Sequence, residues 1–482
     1  MNQMFSAMLA AADAKKKYDP LPVRDYVAGD NGTRRVVMPL GDSMISAAVL
    51  ARDFNQRTLL RLPRRVKRFR IRAANHNLFT ATVLTSPVTL SNFYMGEPVY
   101  DTTVMRRWNG SFVSAPTLVL PGTFSVPTDG TDWVSNWATI PNALQEKDIL
   151  LSYGVVTAAT GTGVGISGTG DLIRGGVGSS GNAGDLVPVG FSYGAGQLFG
   201  DIRVEYEVEA GTRVGVFFGD SITAGAADTA GAIPPEGDAR VGILPSERWP
   251  DLAGRAANFC AINLGVGSIT AAGFNTTSVM AITRAAIGTS ATIPDFGVIL
   301  LGTNDLPVGF TSTTQRIADS VGVMKALGVK DVYLATILPK GLAASSGTLS
   351  SATIVGATSI TSTIDIVAGA TTVVGMGADY EVVTVTAHSG AGPYTLTVNA
   401  MTKAHAAGSR IVSGDEAVRI RVNAWIRQQP LGIAGVLDFD QLMADTVGGP
   451  MPLRSLMFAD LVHPHRAGAA RMGLFAAQLG RV

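Results

Sequence analysis

Three serines in this sequence stand where a nucleophile could. Ser221 follows the apolar run in VGVFFGDSITAG (214–225), Ser43 follows a similar run in VVMPLGDSMISA (36–47), and Ser192 lies in GFSYG (190–194). A serine hydroxyl attacks a carbonyl only when a base takes its proton and donors await the oxyanion, so each candidate is judged by its company. Ser192 has the G-x-S-x-G spacing of a strand-to-helix elbow, but the chain runs on through GAGQLFGDIRVEYEV into another strand pattern. Ser43 precedes MISAAVLARDF, which could open a helix, yet no strand–helix units follow, and it reads as a strand end with a turn. Ser221 has company. INLGVGS (262–268), GTND (302–305) and ADLVHPHRAG (459–468) offer turn amides, an amide side chain, a carboxylate and an imidazole, the inventory of a hydrolase.

The elements that must position these residues are legible in the periodicity. RVGVFF (213–218), FCAINLGV (259–266), FGVILLG (296–302), DVYLATIL (331–338) and AGVLDF (434–439) are near-continuous apolar runs, as expected of parallel strands covered on both faces. ERWPDLAGRAA and TTQRIADSVGVMKALG between them have helical spacing. The expectation is an α/β fold with a doubly wound, flavodoxin-like parallel sheet of five strands, whose sites lie at the carboxyl ends of the strands. Ser221, the 262–268 turn and GTND all fall at such ends, and ADLVHPHRAG leads into the last helix.

Residues 1–35 read as a polar extension. Over 36–210, RVKRFRIRAAN, PTLVLPGTFSV and DIRVEYEVEAG alternate without helices between them, which predicts an all-β sandwich or jelly roll; 159–185 is glycine-rich and reads as a long loop. The hydrolase domain is expected over 211–482, interrupted at 343–412 by a small β-module rich in Thr, Val and Ser.

Composition narrows the classes. The 38 basic and 37 acidic residues nearly cancel, leaving no electrostatic case for nucleic acid or an acidic membrane surface. Only 16% of residues are charged and 56 are glycine, which suits a globular, turn-rich chain. The single cysteine, Cys260, lies in an apolar run and reads as core, so no intrachain disulfide is available. No apolar run is long enough for a spanning helix, and the N-terminus, with its apolar stretch ahead of its lysines, does not read as a secretory signal.

The four blocks in this order, GDS, Asn-x-Gly (263–265), Gly-x-Asn-Asp (302–305) and Asp-x-x-His-Pro (460–464), resemble the SGNH, or GDSL, family of esterases and lipases. The resemblance covers about 211–340 and 413–482, and RWP (248–250) and RVNAWIR (421–427) fit it. It implies a serine nucleophile at Ser221, His463 as base and Asp460 as the carboxylate that orients it. It also implies an oxyanion hole from the Ser221 amide, an amide of Gly267 or Ser268, and the Asn304 side chain. The family carries glycine five residues after the asparagine, where this chain has Ser268, so either amide of the pair remains a candidate. Three residues apart on a turn, a carboxylate can take one ring nitrogen of an imidazole while the other faces the serine. Histidine suits the task because its ordinary pKa, about 6.5, leaves it neutral yet ready to accept a proton.

The remaining polar residues have plainer readings. His465 reads as solvent-facing or substrate-contacting, His76, His388 and His405 as structural, Asp305 as an anchor of its own loop, and Asp438 and Asp440 as turn residues. No cluster has metal-ligand spacing and no cofactor is expected. The activity expected is ester cleavage through an acyl-enzyme, with an acetylated polysaccharide as substrate on analogy with the β-sandwich partners of such hydrolases. A lipase or lysophospholipase and a non-catalytic glycan-binding or phage-tail protein are the alternatives. A virion or cell-surface setting is expected from the inserted module, and a cytoplasmic one otherwise.

Overall fold

A computed structural model describes residues 32–39, 45–48, 52–62, 66–77, 82–100, 108–145, 147–158, 164–167, 172–174, 180–188, 192–193, 198–199, 202–225, 247–276, 293–340, 346–376, 379–445, 452–458 and 460–481. The parallel sheet is the frame of the site. Its strands β1 (Arg213–Gly219), β2 (Phe259–Gly265), β3 (Phe296–Leu300), β4 (Asp331–Ala335) and β5 (Gly435–Leu437) lie in the order β2-β1-β3-β4-β5, all parallel. This is the doubly wound, flavodoxin-like arrangement, with its switch point between β1 and β3.

Both faces are covered, which is why the strand sequences do not alternate. Helices α1 (Ser221–Ala224), α2 (Trp249–Ala257), α3 (Ala271–Asn275), α4 (Phe310–Ala326), α5 (Gly414–Arg427), α6 (Phe439–Met443) and α7 (Arg466–Ala476) supply the covering. On one face Phe217, Phe296 and Val298 pack with Trp249 and Ala253 of α2 and Ala469 and Met472 of α7. On the other, Val216, Phe218 and Ile299 pack with Ile317, Val321 and Met324 of α4 and Val422 and Ile426 of α5. The i, i+4, i+7 spacing of that α4 stripe turns one helical face to the sheet.

Residues before β1 form antiparallel sheets. One has four strands, with Ile202–Glu209 between Thr33–Pro39 and Val66–Ala73; a second has six, with Asp148–Thr157 between Arg52–Arg61 and Val88–Gly96. Phe69 and Ile71 of the first and Phe93, Leu151 and Tyr153 of the second share one buried cluster, the filling of a sandwich. That cluster continues into Val214, Ile262 and Leu264 of the parallel sheet. The junction is polar at its edge: Arg34 of Thr33–Pro39 donates to Asp295 at 2.6 Å and to the Ile293 carbonyl, and Asp295 also accepts the Val214 N–H. The two bodies are joined by core and ion pair together.

After β4 the chain leaves the sheet and forms a further six-stranded antiparallel body, Ser346–Thr348 through Arg410–Val412, around Val374, Val383, Val385, Leu396 and Ile411. It returns directly into α5, and Val373 and Val412 pack on Ala417.

Candidate active site

Ser221 is the first residue of α1, directly beyond the carboxyl end of β1. The turn that presents it is crowded. A Cβ on Gly219 would lie 2.0 Å from Thr223 Oγ1, and one on Gly265 would lie 2.3 Å from the Ala224 nitrogen, so both positions must be glycine for the turn to press against the sheet. Asp220 caps α1, its Oδ1 accepting the Ile222 N–H at 3.0 Å. From β2, Asn263 braces the same turn, donating to the Thr223 carbonyl at 2.8 Å and accepting the Gly265 N–H.

His463 reaches this serine from a loop between β5 and α7. Its Nε2 accepts from Ser221 Oγ at 2.8 Å, and its Nδ1 donates to Asp460 Oδ2 at 2.5 Å. The other oxygen of Asp460 accepts the N–H groups of Val462 and His463 at 2.9 and 3.0 Å, so the carboxylate is held on both sides. Burial works against this charge, but the His463 ring and those two amides outweigh it and hold Asp460 below the usual carboxylate range. The result is a base whose outer nitrogen is free to take a proton while the inner one rests on a fixed anion. That is the arrangement of a serine hydrolase.

The other expected donors gather at the same sheet edge. Gly267 and Ser268 occupy the turn after β2, closed by the Ile269 N–H on the Val266 carbonyl. Ser268 has φ 58°, a conformation glycine takes at no steric cost. Asn304 lies beyond β3 and spends one donor on the Ile269 carbonyl at 2.9 Å, which ties the GTND loop to the 266–269 turn.

Several side chains do other work than the sequence suggests. His465 is buried, not solvent-facing: its Nδ1 accepts the Ala467 N–H as the cap of α7, and its Nε2 donates to the Ser455 carbonyl, so both nitrogens are consumed within the fold. Asp305 anchors more than its own loop, accepting the Ala271 N–H of α3 and the Arg316 guanidinium of α4. Asp438 caps α6 as a turn residue would, and with Asp440 it also belongs to an ion network that runs from the half-buried Arg427 to the buried Arg419, joined through Glu416 to Arg410. His405 pairs with Glu381 inside the inserted body, 2.9 Å apart, and His388 with Asp365 on its surface. Ser192 lies in the strand Ser192–Tyr193, paired to Leu172–Arg174, and the next described residues, Leu198–Phe199, are again a strand; Ser43 lies outside the described residues. Among the described residues no group of His, Cys, Asp and Glu could hold a metal ion.

No family model and no curated protein matches the chain. Similar solved structures include a lipolytic protein of the G-D-S-L family from Desulfitobacterium hafniense (16% identity, TM-score 0.31) and the aryl esterase of M. smegmatis (14%, 0.30). Each of these matches covers 56% of this chain and 99% of the other. A family two carbohydrate esterase from Clostridium thermocellum in complex with cellohexaose (12%, TM-score 0.29) matches over 92% of this chain and 97% of its own. At these values the likenesses carry no argument, and both the fold and the chemistry rest on this chain's own residues.

Proposed function

We propose that this chain hydrolyses carboxylic esters through an acyl-enzyme formed on Ser221. The observation that carries the reading is the continuous chain from Ser221 Oγ through the His463 ring to Asp460 at the carboxyl edge of a doubly wound sheet. Ser221 Oγ attacks the ester carbonyl as its proton passes to His463 Nε2. The oxyanion is met by the Ser221 N–H, an N–H of the Gly267–Ser268 turn and Asn304 Nδ2. Collapse expels the alcohol, which takes the proton from His463. A water then gives its proton to the same nitrogen, attacks the acyl carbon, and releases the acid as Ser221 regains its hydrogen. No step calls for a cofactor.

For substrate we propose an acetyl ester on a polysaccharide. The support is architectural: a sandwich that shares its core with the hydrolase sheet holds a second surface in fixed relation to the site, as recognition of a long polymer requires. The test is turnover of p-nitrophenyl acetate, butyrate and octanoate, followed by acetate release from acetylated glycans, using wild type, Ser221→Ala, Ser192→Ala and Ser43→Ala. Loss in Ser221→Ala alone, with acetyl preferred, supports the proposal. Rates that climb with acyl length replace the acetyl-glycan reading with a lipase, and turnover that survives Ser221→Ala overturns the mechanism.

A further inference from the structure

Asp220 precedes the nucleophile and is fully buried. One of its oxygens caps α1; the other, Oδ2, is shut away from solvent without a close hydrogen-bond partner. The Thr303 hydroxyl faces this carboxylate from the loop after β3, and it too is buried short of hydrogen-bonding geometry. Thr303 is next to Asn304. Its carbonyl accepts from Lys340, at the end of the β4 segment, at 3.2 Å.

We propose that Asp220 is a positioning residue of the hydrolytic site, whose buried carboxylate holds the nucleophile turn through the Ile222 N–H and steadies the imidazolium formed at His463. The inference rests on the esterase reading above and adds a residue to it. One buried anion stands between both halves of the machinery: through the Ile222 N–H it sets the start of α1, and the Thr303 hydroxyl beside it belongs to the loop that carries Asn304. The groups that act on its charge are the Ile222 N–H, the Thr303 hydroxyl, the His463 ring, which itself rests on Asp460, and the Lys340 ammonium. Burial pushes its carboxyl up to about 6, against the opposing pull of these neighbours. A carboxyl in that range titrates near neutrality. When it takes up a proton, the cap on Ile222 weakens and the anion beside the nucleophile turn is lost. Turnover therefore needs two groups to be free of protons, His463 as base and Asp220 as support.

The test compares wild type, Ser221→Ala, Asp220→Asn and Thr303→Val by the pH dependence of kcat/KM for p-nitrophenyl acetate and of thermal unfolding. The wild-type acid limb is expected to approach a log–log slope of about 2, and that of Asp220→Asn a slope of about 1. The Asp220→Asn kcat should fall by roughly 10- to 100-fold through misplacement of the turn, with KM little changed. Asp220→Asn should also unfold at a higher temperature than wild type at pH 8, because a neutral amide of the same shape removes a buried charge; a merely structural residue would give the opposite shift. Thr303→Val should move the Asp220 step to higher pH. A wild-type slope and kcat in Asp220→Asn overturn the proposal. If Asp220→Asn fails to fold, an acid limb in Thr303→Val identical to wild type overturns it instead. Equal turnover by wild type and Ser221→Ala sinks the esterase reading by itself; the unfolding arm still decides Asp220, and an unchanged pH dependence of unfolding in Asp220→Asn overturns its role.

Discussion

Asp460 Oδ2 lies 2.5 Å from His463 Nδ1, while its Oδ1 takes the backbone N–H of that same histidine. The carboxylate thus fixes both the loop and the ring it carries. Replacing it with an amide keeps the shape but offers an N–H where an acceptor is needed, which favours the wrong tautomer of His463. Asp460→Asn is expected to lower kcat by about 10⁴-fold, the loss seen when the equivalent group of another serine hydrolase is so changed. Steady-state kinetics at pH 8, with circular dichroism to show a folded protein, checks it. Because these hydrogen bonds hold Asp460 below the usual carboxylate range, it stays ionised well below neutral pH. Its protonation is therefore not expected to limit turnover near neutral pH.

Asn304 donates to the Ile269 carbonyl, and the proposed mechanism assigns its second N–H to the oxyanion. Asn304→Ala should therefore cost kcat about 10²- to 10³-fold with a small change in KM, since the lost bond matters most when charge has formed on oxygen. A KM effect equal to the kcat effect would assign the side chain to substrate binding instead.

Gly265 tests the crowding behind the nucleophile. A methyl there would sit 2.3 Å from the Ala224 nitrogen, and a backbone cannot yield as a side chain does. Gly265→Ala should destabilise by about 1–3 kcal/mol, as overpacking does, and should displace Ser221 from His463. Urea unfolding measures the first and acylation of Ser221 by a fluorophosphonate the second; both should fall together.

Much of this site is readable without coordinates, and the reason is physical. Parallel strands buried on two faces must be apolar throughout, so Val214–Phe218 and Phe296–Leu300 announce themselves, and turns at their ends need glycine and small polar residues in fixed places. What periodicity cannot show is pairing over distance. Asp440 looks like any turn residue after a strand, yet it meets Arg419 of α5 inside the protein, 21 positions earlier in the chain. His465 reads as solvent-facing or substrate-contacting, and only the fold shows its ring closed between Ser455 and Ala467. The buried charge of Asp220 is hidden for the same reason: burial is a property of the assembled sheet, helix and loop, and GDS reads identically at 41–43.

The buried network makes a prediction of its own. Arg419 is fully buried, binds both oxygens of Glu416 at 2.7 Å, and reaches Asp440 and the Ile337 carbonyl. Removing the guanidinium leaves two carboxylates in the interior with fewer cations, so Arg419→Met should destabilise by about 3–5 kcal/mol. Since Glu416 also holds Arg410 of the inserted body, protease cutting within 346–412 should quicken in the same variant.

Asp220 and Asp460 pull the pH dependence of stability in opposite directions. Asp460 is depressed in the folded state, so its contribution is present above the ordinary carboxylate pKa and is lost as pH falls through its folded value. Asp220 is raised to about 6, so the folded protein binds its proton more tightly than the unfolded chain does. Its favourable contribution is complete below an ordinary carboxylate pKa of about 3.9 and disappears as pH rises through about 6. A shift of about two pKa units corresponds to roughly 3 kcal/mol at most. The difference in unfolding free energy between Asp220→Asn and wild type should therefore be small at pH 4 and grow in favour of the variant up to about pH 7, then level off. Chemical denaturation at half-unit pH steps measures it. A difference that is constant across that range would mean that Asp220 does not change its ionisation on folding.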